Sequence, residues 1–300
     1  MWALAAAGCS GDGRPAATPT EAVEATEGSC SAKRPASAEE SLKEKLRVEA
    51  ARLRRRLGDS YVVGVEEPFV VAGEIDEQTL RRIMRSTIRA CSRRMYAQFF
   101  DKKPDYVLTV YLFADDRSYR RAAKSIWGDT DVSRFGYYKP GEKTLVMNIS
   151  TGTGTLVHEM FHALVEPDFP KIPTWLNEGV ASLYECCRLE ENRLVGMMNW
   201  RFPRLKKAVD EGGVVPLEKL VAATRRRFYG AGRDLHYAEA RYFCMYLQEK
   251  GLLERFYKTF RDRRKEDPTG AKFLEELLGK DLDAVQSDWL AWVRSLPDAP

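Results

Sequence analysis

Ten residues, Leu156-Val-His-Glu-Met-Phe-His-Ala-Leu-Val165, constrain this chain more than any other stretch. Read as a helix, the segment is apolar on nearly every side, and such a helix belongs inside a protein. It nevertheless carries His158, Glu159 and His162. Four residues on a helix leave about 40° of net rotation, so both imidazoles project from one face, a turn apart. Two imidazoles and a carboxylate are costly to bury without partners. A metal ion supplies the partner for the imidazoles. The H-E-x-x-H spacing suits two ligands of a tetrahedral zinc, with Glu159 placed as general base on water at the metal. The competing reading is a pair of core histidines bonded to backbone, because so short a motif also arises by accident.

A catalytic zinc needs a third protein ligand and one open position. Downstream lies Pro173-Thr-Trp-Leu-Asn-Glu-Gly-Val-Ala-Ser-Leu-Tyr-Glu185. Thr174 is placed to cap a helix after Pro173, with Glu178 one turn in. Gly179, Ala181 and Ser182 are small and allow this helix to pack closely against the histidine-bearing one. Between His162 and Glu178 there is room for a helix end, a loop through Pro167, Pro170 and Pro173, and an antiparallel return. Glu178 is therefore the expected third ligand. The alternative is a glutamate that merely complements a helix N-terminus.

The paired motifs His158-Glu-Met-Phe-His162 and Trp175-Leu-Asn-Glu-Gly-Val-Ala-Ser182 resemble the gluzincin metallopeptidases, specifically the peptidase MA-like group. The resemblance covers residues 100–295 and is specific in the paired motifs and weak in the later helices. It implies a zincin-like fold, Zn2+ held by His158, His162 and Glu178, and water activated by Glu159. It also implies that the strand at 144–150 is the sheet edge along which a peptide substrate lies. The segment from His236 to Leu247 is similar to a later helix of the family. Relatives often carry a Tyr or His that stabilises an oxyanion. Here Tyr237 is the first candidate and His236 the next, each with a core or capping role as its alternative. One position departs from the pattern. Thermolysin-like enzymes place an aspartate four residues after the third ligand, to orient a ligand histidine. Here that position is Ser182, which can still accept a hydrogen bond from an imidazole.

Around this centre the chain reads as α+β. Residues 38–57 form a charged helix, and 61–65 and 69–72 are β-branched strand runs. Residues 76–100 form a long amphipathic helix with Leu80, Ile83, Met84, Ile88, Cys91 and Met95 on one face. A strand at 106–113, a helix at 115–127 capped by Asp115 or Asp116, and a hairpin over 135–150 complete a mixed sheet with helices. The glycines of Thr151-Gly-Thr-Gly154 mark the boundary to a mainly helical part. There, helices are expected at 155–165, 174–188, 201–211, 216–224, 237–250, 252–264, 270–278 and 281–295, with a short strand from Arg193. The expected organisation is thus 1–37 as a leader and tether, 38–150 as the α+β part, and 151–300 as the helical part carrying the zinc site.

Composition limits the other function classes. Of 300 residues, 44% are hydrophobic and 31% charged, which suits a soluble globular chain with a sizeable core. No apolar run reaches the length of a membrane-spanning helix. The net charge of +4 does not argue for nucleic acid as a partner. The runs Arg225-Arg-Arg227 and Arg261-Asp-Arg-Arg264 read as solvated faces, with acidic substrates or a membrane surface as the alternative.

The N-terminus, Met1-Trp-Ala-Leu-Ala-Ala-Ala-Gly-Cys9, ends like a bacterial lipobox. This points to lipidation at Cys9, membrane attachment through it and a cell-envelope or secreted location; an ordinary Ala-rich N-terminus is the alternative. Residues 10–40 are rich in Gly, Pro, Ala, Ser and Thr and suit a flexible tether. The cysteines Cys9, Cys30, Cys91, Cys186, Cys187 and Cys244 show no CxxC spacing. Most read as buried free thiols. Cys186 and Cys187 are expected on different sides of a helix, where one could pair with Cys91 or Cys244 in an oxidising compartment. The expected function is a zinc-dependent peptidase acting on a peptide or protein substrate. The rivals are a catalytically inactive zinc-bearing protein that binds peptides or envelope partners, and a structural helical protein with an accidental motif.

Overall fold

The apolar strand runs lack a clean in–out alternation, and a sheet covered on both faces explains why. The computed structural model describes residues 38–297. The lipobox-like Cys9, the tether and Cys30 lie outside the described residues. Strands β1 (Val62–Glu66), β2 (Phe69–Glu74), β3 (Leu108–Phe113), β4 (Gly136–Lys139) and β5 (Thr144–Asn148) form one sheet in the order β1-β2-β3-β5-β4. The inner strands β2, β3 and β5 run parallel, and β1 and β4 close the two edges antiparallel.

Successive residues go to opposite faces. Phe69 and Val71 of β2, Val110 and Leu112 of β3, and Leu145 and Met147 of β5 enter the larger core. Val70, Ala72, Tyr111, Phe113 and Val146 enter a smaller one. Helix α1 (Ala38–Leu57) covers the smaller core with Leu42, Leu46 and Leu53, and α4 (Asp116–Trp127) adds Tyr119. Asp115 caps α4 in a reciprocal bond with Ser118. On the larger face lies the long helix, here α2 (Glu77–Ile83), a π-helical segment Met84–Arg89, and α3 (Ala90–Gln98). Chain order and class are α+β, a mixed sheet with helices followed by a mainly helical part.

The edge assignment implied by the family resemblance is corrected. β5 is hydrogen-bonded on both sides, to β3 and to β4. The turn at Pro140–Glu142 folds the preceding residues back along β5, so β4 is the free edge on that side.

Helix α5 (Gly154–Val165) carries the H-E-x-x-H motif, and α6 (Thr174–Leu183) carries Glu178. Thr174 is the first helical residue and makes no capping bond. The expected continuation of this helix to Arg188 is also corrected. The backbone of Cys186 and Cys187 is instead taken up by a hairpin of β6 (Cys187–Leu189) and β7 (Leu194–Gly196), with Met197 N donating to Cys186 O. Cys186 and Cys187 therefore do not sit on a helix. Cys91, Cys186, Cys187 and Cys244 are all free. The thiol of Cys187 is the neighbour of that of Cys91.

The remaining helices are α7 (Phe202–Asp210), α8 (Leu217–Val221), α9 (Arg225–Phe228), α10 (Arg233–Glu249), α11 (Leu253–Arg263), α12 (Ala271–Leu278) and α13 (Leu282–Ser295). The short α9 has no counterpart in the sequence reading, and α10 begins four residues before the expected 237. Helix α10 is the central rod, with every residue from Ala238 to Gln248 buried. At Gly179, α6 approaches it so closely that a Cβ would lie 2.7 Å from both Ala240 O and Cys244 Sγ. A knot centred on Asp168 joins the sheet half to the helical half. Its carboxylate accepts from the backbone of Asp101 and Lys102 at 2.8 and 3.0 Å, from Arg261 Nη1 at 3.0 Å and from Tyr257 at 2.9 Å.

Two outcomes follow from this packing. Gly179→Ala forces α6 off α10 and should cost about 1–3 kcal/mol, the usual scale of overpacking. A melting temperature unchanged by the substitution would refute the close approach. The second concerns Glu239 on α10, which is wholly buried with Oε1 accepting from Val215 N at 2.8 Å and Oε2 without a partner. Burial pushes its carboxyl up to about 8, from 4.5. The folded state thus holds a proton that the unfolded chain releases, so this residue makes stability fall as pH rises from 4.5 to about 8. Glu239→Gln should flatten that slope in denaturant titrations at pH 5, 7 and 9; an unaltered slope counts against the assignment.

Candidate metal centre

The helix spacing on α5 does what its periodicity predicts. His158 and His162 leave one face, and their Nε2 atoms lie 3.0 Å apart. Helix α6 returns after the proline-rich loop and brings Glu178 against both. Its Oε2 lies 3.3 Å from His158 Nε2 and its Oε1 3.5 Å from His162 Nε2. The three donor atoms fall within 4.8 Å of one another. All three side chains are largely buried, at 8, 14 and 5% exposed for His158, His162 and Glu178.

Glu178 Oε2 is buried and has no hydrogen-bond partner. A carboxylate oxygen in that condition is costly, and it is aimed at two imidazole nitrogens that are themselves crowded together. Two imidazoles and one carboxylate make a donor set that divalent transition metals accept. The residues present fit a metal.

The far side of each imidazole is held as metal-binding histidines require. His162 Nδ1 lies 3.0 Å from Asn177 Oδ1. His158 Nδ1 lies 3.0 Å from Glu185 Oε1, out of line for a full hydrogen bond but at ion-pair distance. Arg201 grips Glu185 in turn, Nη2 to Oε1 at 3.0 Å and Nε to Oε2 at 3.3 Å. Ser182 does not take the orienting role considered for it: its hydroxyl is buried without a partner. Because α6 stops at Leu183, the chain turns and swings Glu185 back over His158. Gly154 makes room for that turn, since a Cβ there would fall 2.3 Å from Glu185 O.

The charged groups of the site act on one another. Burial opposes a positive His158, but Glu178 and Glu185 outweigh it and hold its pKa well above the ordinary value. His162 is raised by Glu178 against the same opposition. Burial works against ionised Glu178 too, and the two imidazoles overcome it and hold the carboxyl well below its usual range. The two imidazoles and the Glu178 carboxylate thus favour each other's charged forms. Glu159 is different. It lies beside the ligands without joining them, and burial raises its carboxyl above the ordinary value.

Two tyrosines close the other side. Tyr229 donates to Glu178 Oε1 at 2.5 Å. The sequence reading missed it because Tyr229 is placed by the unforeseen α9. Tyr237 lines the cleft, with its ring centroid 6.3 Å from that of Tyr229 and the Arg201 guanidinium 5.0 Å over its face. Burial, reinforced by the Glu178 carboxylate, raises both phenols. Both are hydrogen-bond donors at neutral pH. His236 does not reach the site. It is buried against Phe228, where its Nδ1 donates to the Phe228 carbonyl at 2.8 Å.

The centre lies in a cleft that extends both ways along β4. A cavity of about 490 Å³ on one side is walled by Tyr137, Tyr138 and Pro140. A second of about 530 Å³ is walled by Ser133, Phe135 and Gly136. His158, Glu159, Tyr229 and Tyr237 line both. The cleft thus passes over His158 and Glu159 and along the free sheet edge.

Neither a scan against protein-family models nor a search of curated proteins finds a match to this chain.

Glu185→Gln removes the charge behind His158 and leaves the three donor atoms in place. It should weaken metal affinity by about 10–100-fold. Ser182→Ala should leave affinity unchanged. Competition with a chromophoric chelator measures both, and a Ser182→Ala protein weaker than Glu185→Gln would reverse the assignment.

Proposed function

We propose that the chain is a zinc-dependent metallopeptidase of the gluzincin type. One observation carries the reading: donor atoms of His158, His162 and Glu178 converge within 4.8 Å of one another, with Glu159 alongside in a cleft bordered by a free strand. His158, His162 and Glu178 would hold the zinc. Zinc bound there supplies Lewis acidity toward water and toward a scissile carbonyl.

The chain's own residues supply the rest. Glu159 carries a carboxyl raised by burial, the direction that suits a general base and then an acid near neutral pH. It takes a proton from the attacking water and returns it to the leaving amine. Tyr237 stays protonated and presents a donor where negative charge develops on the carbonyl oxygen, while the Tyr229 hydroxyl donates to Glu178 Oε1. The β4 backbone, unpaired on its outer side, offers an extended peptide a strand to add to. The substrate class is therefore peptide or protein, with no role for nucleic acid.

The likeness of the Cys9 segment to a lipobox supports, within this proposal, a bacterial cell-envelope or secreted location. Among the described residues no helix is long and apolar enough to cross a membrane.

Elemental analysis and a peptide-cleavage assay test the reading together. The wild type should bind about one zinc per chain, the stoichiometry of a single three-ligand site. Glu178→Ala should lose most of that zinc. Glu159→Gln should keep it and lose turnover by a factor of about 10² or more. Full zinc in Glu178→Ala refutes the ligand set, and undiminished turnover in Glu159→Gln refutes the base.

A further inference from the structure

Three cations line the two cavities of the cleft: Arg201, Arg225 and Arg233. Two of them have carboxylate partners. Arg201 is bound to Glu185 at 3.0 Å, and Arg233 lies 3.6 Å from Asp234. Arg225 makes no ion pair among the described residues. Among the described residues its guanidinium meets an aromatic face, the guanidinium carbon standing 5.1 Å from the Tyr229 ring centroid. That same tyrosine touches the metal ligand Glu178 through its hydroxyl. Arg225 therefore stands one side chain away from the metal centre, exposed, and held over a ring.

One acidic group lining that cavity is already taken. Glu166 accepts from Lys143 at 2.5 Å and from Tyr138 at 3.2 Å. Val165, Phe169 and Ile172 give the same end of the cleft an apolar wall, which strengthens any charge pair formed against it. A guanidinium is a planar fork matched to a carboxylate, and stacking on an aromatic ring pre-orders it.

We propose that Arg225 is the anion subsite of this cleft, and that the substrate is a peptide presenting a carboxylate on the Arg225 side of the bond that is cut. An Asp or Glu side chain and a free C-terminus carry the same group. The inference rests on the peptidase reading and names the substrate class within it.

The test uses a defined synthetic peptide library, once with free C-termini and once amidated, and the zinc-loaded full chain. Cleavage products are read by mass spectrometry. Expected is a preference for Asp or Glu at one fixed position relative to the cut. Cleavage at a fixed distance from the C-terminus, abolished by amidation, instead identifies the terminal carboxylate as the group bound. Arg225→Gln should raise KM for preferred peptides roughly tenfold or more with little change in kcat, the scale of one charge-assisted hydrogen bond. Arg225→Glu should move the preference to Lys or Arg at that position. A profile with neither an acidic preference nor dependence on a free C-terminus, or one that ignores Arg225→Gln, overturns the proposal.

Failure of the peptidase reading is kept separate by a binding arm. The Glu159→Gln protein is immobilised with zinc, and the retained library peptides are sequenced. Acidic peptides retained by it and lost with the added Arg225→Gln change support the subsite even where no bond is cut. Retention of no peptide, or retention independent of Arg225, overturns it.

Discussion

Burying a carboxylate between helices costs several kcal/mol unless something neutralises it, and here that constraint falls on Glu178. Its position follows from the contact of α6 with α10, which only a glycine at 179 permits. Its charge is answered by His158 and His162. Those imidazoles are oriented from behind by Asn177 and Glu185, and Glu185 is held by Arg201. Each group is placed by the need of another for a counter-charge. The apolar surroundings make every one of these pairings stronger and every omission more expensive. In the proposed reading a cation would take the place of the imidazole protons among donor atoms that already lie within 4.8 Å of one another.

What could be read from the sequence was what local periodicity converts directly into geometry. The i, i+4 histidines share a face on any helix, so their convergence needed no knowledge of the fold. The strand runs were legible because β-branched residues cluster in them, and so were the long helices with a repeating apolar face. Glu178 was legible because a following helix rich in small residues has few ways to pack. The outer parts of the site were not. Glu185 reaches His158 only because α6 ends at Leu183, and that end is decided by a hairpin pairing Cys187 with Gly196. Tyr229 arrives on a four-residue helix with no periodic signal of its own.

His236 and Tyr237 show the limit at its narrowest. Adjacent helix residues point about 100° apart, so one faces the cleft and the other the core. Nothing in the local pattern says which is which. The sheet edge is a similar case. The hairpin over 135–150 was legible, but which of its two strands pairs with β3 depends on a parallel contact with residues some 35 positions earlier. Such pairings are set by the whole sheet rather than by either strand.

The dependence of Glu178 on α10 has a consequence for how the protein is made. Both histidines, Glu159 and Glu178 have been synthesised once residue 178 is added. The rod that fixes α6 spans Arg233–Glu249, and the Asp168 knot needs Arg261, which is 93 residues beyond it. Contacts of such sequence separation form late, after the loop between them has been closed. A growing chain therefore carries all the ligands well before it has a site. On the proposed function, metal binding would be withheld until the chain as far as Arg261 has been released to fold. In the proposed reading, the ribosome-bound chain and its neighbours would not be exposed to a half-built protease.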